Sequence, residues 1–296
     1  MAIVHEFEYF KPGSVDEVVK LLSDYGKDAA VLAGGTDLVV RVKDGFETPK
    51  AVVDIKGIEE LKRFEFKDGH LFVGALVTFN ELIDSEVVRK NFPVLWEASK
   101  SVASMGIRNR ATLVGNMCSA VPSLDSGPAV LLYEANVVVK GPSGERKIPV
   151  LDWFLGPRKT ALEKGEMVVG VSLSVLEKRH GGAYIKLGRY DGEDLAQVGV
   201  GVLAIEGNEY RVAFCAVGPK PVRARKIEAI LSGKELTESV MEEAMAAVVD
   251  EISPITDIRA TREYRMHMSK VMLKRALRAA VSRLKGEGPE YGTRLI

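Results

Sequence analysis

Apolar positions near the start of the chain recur at helical spacing: Val15, Val18, Val19, Leu22 and Tyr25. Ser14 with Glu17 forms a capping-box pattern and Gly26 closes the run, which predicts a helix over 14–26. The period then shortens. AAVLA (29–33) reads as a strand running into Gly34-Gly35-Thr36, DLVVRVKDG starts a helix, and AVVDI (51–55) reads as a buried strand. KRFEF and HLFVGA, joined through Asp68-Gly69, predict a hairpin. Thr78 with Glu81 makes a second capping box that opens a helical run to about residue 90, and another helix follows Pro93.

From Met105 to Pro128 the periodicity lapses into a stretch rich in Gly, Asn, Ser and Pro. A loop that long inside a compact domain is usually functional or disordered. Its apolar residues, among them Ile107, Leu113, Met117 and Leu124, favour an ordered, functional loop. A helix (PAVLLYEA), a hairpin around Gly141–Gly144 and a strand ending near Val171–Leu173 follow. The polar, Gly-terminated segment 175–182 predicts a domain boundary. Beyond it, three strands (AYIKLG, AQVGVGVLAI, EYRVAFCAVG) precede helices, the last from about Ala260 to Leu284. That order predicts an α+β domain with its helices on one face of a three-stranded antiparallel sheet. The chain is therefore expected to be α+β, with domains over 1–174 and 178–285 and a tail over 286–296.

Composition narrows the function. Of 296 residues, 46% are hydrophobic, enough for sizeable cores. Lys+Arg and Asp+Glu both number 41, so the chain lacks the basic excess that a nucleic-acid binder needs to replace phosphate counterions. The opening MAIVHEFEYFKPGS has no basic region followed by an apolar one, so no signal peptide is expected. No apolar run approaches the roughly 20 residues that span a bilayer, which predicts a cytoplasmic protein without a membrane span. Cys118, Cys215 and four histidines are too few and too scattered for an iron–sulfur cluster or a zinc site. Any metal of a working assembly is expected on another chain.

Two loops carry candidate chemistry. Leu32-Ala33-Gly34-Gly35-Thr36-Asp37 lies at a strand end, where paired glycines allow a sharp turn and present consecutive N–H groups to an anion. Taken alone, the same residues fit a plain tight turn with a Thr N-cap better. Thr112-Leu113-Val114-Gly115-Asn116 offers a second set of backbone donors with a side-chain amide. Asp125, among small residues, suits either a ribose hydroxyl or an Asx turn.

LAGGTDL, VGALVTFNEL and TLVGNMCSAVPSLDSGPAVLLYEA, in that order, resemble the FAD-binding domain of the flavoprotein subunits of molybdenum hydroxylases. AYIKLGRYDGEDLAQVGVGVLAI, VGPKPVRARKIEAIL and TREYRMHMSKVMLKRAL extend the resemblance over essentially the whole chain. It implies a two-domain FAD-binding fold of the PCMH/vanillyl-alcohol-oxidase-like type, with an α+β C-terminal domain. By the same resemblance, Leu32 to Asp37 and Thr112 to Asn116 grip the FAD pyrophosphate. Ser119 and Asp125 contact the ribityl or ribose region, Lys186 lies near the polar edge of the isoalloxazine, and Leu195 lies close to one flavin face. The implied partners are a molybdenum-cofactor large subunit and a [2Fe-2S] small subunit, assembled as a dimer of heterotrimers. The sequence departs from the family where Val114 replaces the first of two glycines before the Asn; a β-branched residue there disfavours positive φ.

The function expected is electron transfer from partner iron–sulfur clusters through FAD to an external acceptor. Two alternatives remain open in the sequence: a stand-alone NAD(P)H-dependent flavin reductase, and a scaffold subunit with a degenerate site marked by Val114.

Overall fold

The structure is a computed structural model that describes residues 5–190 and 193–296. The chain opens with a small parallel sheet in which Ala51–Asp54 lies between Glu8–Phe10 and Ala29–Leu32. The helix Val15–Tyr25 buries Val15, Val18, Val19 and Leu22, the stripe that the sequence pattern marks. Its cap departs from the reciprocal box: the Ser14 side chain accepts from Glu17 N–H, but the Glu17 carboxylate accepts from Gly13 N–H instead of Ser14. Thr78 and Glu81 do form the full box. The helical run they open breaks at Ser85 into Phe79–Asp84 and Glu86–Asn91, because the Ser85 hydroxyl caps the second helix by accepting from Val88 N–H.

A five-stranded antiparallel sheet follows, in spatial order Phe64–Lys67, His70–Gly74, Met167–Ser174, Asn136–Gly141, Gly144–Pro149. The central strand arrives last in the chain, so the whole segment from residue 75 to 135 is an excursion between the two strands that flank it. That excursion holds the stretch expected as an irregular loop. It is instead broken into short helices, Met105–Arg108 and Leu113–Ser119, with a third starting at Ser126. Helices of four to seven residues span too few turns to register as a hydrophobic period, which is why the pattern reads as loop.

The last sheet runs His180–Leu187, Val198–Ile205, Glu209–Cys215, with a two-residue fourth strand, Val222–Arg223, joining the three expected ones. Every residue of Val198–Ile205 is buried. The alternation has not vanished; it separates two cores. Val198, Val200, Val202 and Ala204 face the core shared with the helix Arg262–Lys285, whereas Leu203 and Ile205 join the larger core of the preceding sheets and helices. Helices therefore cover both faces, not one: Ser126–Leu132 and Pro93–Lys100 pack from the other side. A β-carbon on Gly201 would stand 2.9 Å from Leu132 Cδ1, so glycine there admits the helix.

One buried carboxylate ties the two halves. Glu97, on the helix Pro93–Lys100, accepts from Tyr184 N–H (2.9 Å) and from Gly292 N–H (2.8 Å), and pairs with Arg283 at 2.9 Å. Arg283 also holds the Gly182 carbonyl and stacks its guanidinium 4.2 Å from the Tyr291 ring centre. The segment beyond Gly286 thus packs back on the fold through Tyr291 and Gly292. With side-chain exposures of 5% and 3%, the pair has little water to fall back on. Removing one partner strands the other charge, at a cost of about 3–5 kcal/mol. Glu97→Ala is expected to lose that much unfolding free energy in a urea titration. A loss below about 1 kcal/mol, the worth of an exposed pair, would rule out the tie.

Candidate functional site

Three parts of the fold meet around one cavity of about 930 Å³. All the candidate site residues of the sequence line it except Leu113, which is buried in the core, and Leu32, whose backbone carbonyl is occupied in the sheet by Ile55 N–H at 3.1 Å. The volume lies at the upper end of the roughly 300–1,000 Å³ typical of ligand pockets.

The Gly-Gly turn sits where it does because of close backbone contact. A β-carbon on Gly34 would fall 1.9 Å from the Arg110 carbonyl oxygen, so only glycine lets this loop lie against the segment before Thr112. Gly35 has φ +77°, the left-handed region where glycine costs least. The two loops are also joined by the Ser119 hydroxyl, which donates to Asp37 Oδ2 at 2.5 Å. Among the described residues, the amides of Gly34 to Asp37 meet no protein acceptor.

Thr112 is the N-cap of the helix Leu113–Ser119, and its hydroxyl accepts from Gly115 N–H at 2.9 Å. Val114 therefore stands in the first turn of a helix, outside the positive-φ set, and is buried. Its β-branch meets no backbone conflict, which removes the reason for reading the site as degenerate. Asn116 accepts from the Ser126 hydroxyl at 2.7 Å, tying this helix to the next.

Asp125 is buried. It accepts from Tyr184 Oη at 2.8 Å and from Lys186 Nζ at 2.9 Å. Burial pushes its carboxyl above the usual range, and the Lys186 ammonium and the Tyr184 hydroxyl pull the other way. The acceptor capacity expected to serve a ligand hydroxyl is thus shared with two protein donors. Lys186 also donates to the Ser101 carbonyl at 2.9 Å. The next two carbonyls, Val102 and Ala103, are both held by Arg108 Nη1 at 2.8 Å, which turns the cavity wall at Ala103 into a left-handed conformation, φ +38°. Leu195 faces the cavity at 46% exposure; residues 191 and 192 of the motif that carries it lie outside the described residues.

Sequence reasoning missed Tyr184 and the carbonyls at 101–103. Tyr184 had a signal: it stands two positions before Lys186, on the same face of one strand. The carbonyls had none, since backbone groups acquire a role only when the fold assembles them.

Cys118 lines the cavity, and desolvation pushes its thiol up to about 12; Cys215 is raised as well. Both therefore stay protonated at neutral pH, and thiolate is the nucleophilic form. At pH 8 the folded protein is expected to react with an aromatic disulfide reagent at least about a hundredfold more slowly than the urea-unfolded chain. Fast, stoichiometric labelling of one thiol would show Cys118 to be activated.

Among the described residues there is no cluster of His, Cys, Asp and Glu that could hold a metal ion, and no helix long and apolar enough to cross a membrane. Residues 5–174 match the family described as the FAD binding domain in molybdopterin dehydrogenase, and residues 183–280 match the CO dehydrogenase flavoprotein C-terminal domain. The carbon monoxide dehydrogenase medium chain of Hydrogenophaga pseudoflava is 35% identical over 94% of this chain and 98% of its own length. The xanthine dehydrogenase FAD-binding subunit of Escherichia coli O157:H7 is 30% identical over 94% and 97%. In three dimensions, the carbon monoxide dehydrogenase of H. pseudoflava superposes with a TM-score of 0.91 at 35% identity, covering 96% of this chain and 99% of that one. The chain belongs to the FAD-binding flavoprotein family of molybdopterin dehydrogenases.

Proposed function

We propose that the chain is the FAD-carrying electron-transfer subunit of a molybdenum hydroxylase complex. The observation that carries this reading is the convergence of both glycine loops, the Asp125–Lys186 pair and Leu195 on one cavity large enough for a dinucleotide. The residues fit the group. Gly34 and Gly35 bring consecutive backbone amides to the cavity wall, a donor set suited to a pyrophosphate. Thr112 caps the helix that presents Gly115 and Asn116 beside them. FAD, when bound, supplies two-electron chemistry that no side chain offers.

The chain's own part is to bind, orient and shield. Leu32 anchors the first loop from the sheet, while Ala33 to Asp37 and Thr112 to Asn116 hold the pyrophosphate. Ser119 keeps the loops together through Asp37. Lys186 places a cation at the polar edge of the isoalloxazine, with Asp125 as its counter-ion, and Leu195 covers one ring face. The division into a domain over 1–174 and another over 178–285 puts the cavity at their junction. Substrate oxidation takes place on a molybdenum-cofactor large subunit, and a [2Fe-2S] small subunit delivers the electrons, in a dimer of heterotrimers. Under this reading the complex works in the cytoplasm.

The purified chain, incubated with FAD and desalted, is expected to retain flavin absorbance in the blue and near-ultraviolet at close to one flavin per chain. In Gly34→Ala the added methyl group collides with the Arg110 carbonyl and parts the loops. FAD affinity is then expected to fall by at least about tenfold, some 1.4 kcal/mol. A colourless wild type would overturn FAD binding; equal retention by Gly34→Ala would free the loop of its assigned part.

The relay is tested separately in the complete complex. Substrate should bleach the flavin after the iron–sulfur clusters are reduced. Clusters that reduce while the flavin stays oxidised, in a complex otherwise competent, would sink the electron-transfer role.

A further inference from the structure

Tyr184 is buried, belongs to neither glycine loop, and spends its hydroxyl on Asp125 at 2.8 Å. The fold makes room for that hydroxyl deliberately. A β-carbon on Gly199 of the neighbouring strand would stand 2.7 Å from Tyr184 Oη and 2.3 Å from Cys215 Sγ. Only glycine at that position lets the phenol cross the sheet face to reach the carboxylate. The Tyr184 backbone is fixed independently, its N–H donating to buried Glu97 at 2.9 Å. The ring is therefore anchored at both ends. Asp125, on the far side, holds Lys186 Nζ at 2.9 Å, and the Ser101 carbonyl holds it at the same distance from another direction. Two of the three ammonium hydrogens are thereby spent on fixed acceptors, and Lys186 lines the cavity.

We propose that Tyr184 is a positioning residue: its hydroxyl fixes Asp125, and Asp125 together with the Ser101 carbonyl fixes the Lys186 ammonium against the bound flavin. This inference rests on the FAD reading above. In that arrangement the tyrosine acts on the flavin only through the ion pair. The phenolic hydrogen bond favours the ionised carboxylate, and burial opposes it. With the hydroxyl in place, the ammonium has a full counter-charge beside it. Without the hydroxyl, buried Asp125 loses one of its two donors and shifts toward its neutral form, which leaves the Lys186 charge uncompensated. A less compensated cation near the ring favours added electrons.

The experiment is a double-mutant cycle on the flavin-loaded chain, read by the two-electron midpoint potential, with flavin stoichiometry and thermal melting recorded for each variant. Tyr184→Phe keeps the ring and removes the hydroxyl. It is expected to bind FAD stoichiometrically and to shift the reduction equilibrium about tenfold toward the reduced side, about 30 mV upward for a two-electron couple. In a Lys186→Gln background the same substitution is expected to move the potential hardly at all, because the buried carboxylate without its ammonium is already neutral and the phenol has no charge to hold. An unchanged potential in Tyr184→Phe overturns the proposal. So does an equal shift in both backgrounds, since the tyrosine would then act on the flavin directly or through general loosening. If Tyr184→Phe folds but sheds its flavin, the proposal stands only if Lys186→Gln sheds it as well; retention by Lys186→Gln alone overturns it. A wild-type chain that binds no FAD is a different result, and counts against the FAD reading itself.

Discussion

The fold hangs on a carboxylate with no water to lean on. Glu97 takes hydrogen bonds or charge from a strand amide, an arginine on the long closing helix and an amide near the end of the chain. None of these elements is near it in sequence. A buried ion pair seldom adds much net stability over a well-packed apolar substitute, because desolvating both charges consumes most of what their attraction returns. What such a pair does impose is a penalty on every arrangement that leaves it unmatched. The four-stranded sheet can therefore dock on the helix Pro93–Lys100 in one register, and the Tyr184 hydroxyl is delivered to Asp125 at a fixed height.

Glycine supplies the complementary constraint, closeness. Gly34 permits contact between two loops, Gly199 permits the Tyr184 hydroxyl to cross the sheet, and Gly201 permits the helix Ser126–Leu132 to lie on that sheet. In each case a β-carbon would overlap an atom of the element packed against it. These are not flexible joints: Gly199 and Gly201 sit within a strand that is buried at every residue. They show why the ligand space lies where separate layers converge. A cavity needs walls from different elements, and walls that are themselves hydrogen-bonded together at about backbone distance hold their shape without a ligand.

Much of this was legible in the sequence, and the limits have physical reasons. The helix at 15–25, the Thr78–Glu81 box, the paired hairpins and the long closing helix all follow from period and capping, because those signals are local. The Met105–Pro128 stretch misled because its helices are too short to show a period and its apolar residues face different neighbours. The continuous apolar run Val198–Ile205 concealed two alternating faces that serve two cores, so the helices on the far side of that sheet could not be foreseen from the strand itself. At the site, the loops and the Lys186–Asp125 residues were readable as types. Their pairing was not, since 61 residues separate them and only the fold sets them 2.9 Å apart. Val114 reads as a departure by motif and is ordinary by geometry, because a helix N-terminus asks nothing unusual of φ there.

Three alanines close the argument about rigidity. Ala103, Ala120 and Ala216 hold φ of +38°, +45° and +64°, a region that costs an L-residue roughly 1–2 kcal/mol. Each is held by a hydrogen bond: the Ala103 carbonyl accepts from the nearby Arg108 guanidinium, the Ala120 carbonyl from the distant Arg158 N–H, and Ala216 N–H donates to the distant Pro122 carbonyl. Strained residues persist when their surroundings over-determine them. Glycine would relieve the strain at all three positions, but it would also widen the conformations open to the unfolded chain and, at Ala103, to the cavity wall. Alanine keeps the wall narrow in its choices. The segment Ser101–Ala103 shows the consequence most clearly: its first carbonyl holds Lys186, its next two are held by Arg108, and the left-handed turn at Ala103 is what lets one short stretch face both. The position of the cation in the cavity is thus set by backbone strain on one side and by a tyrosine-braced carboxylate on the other.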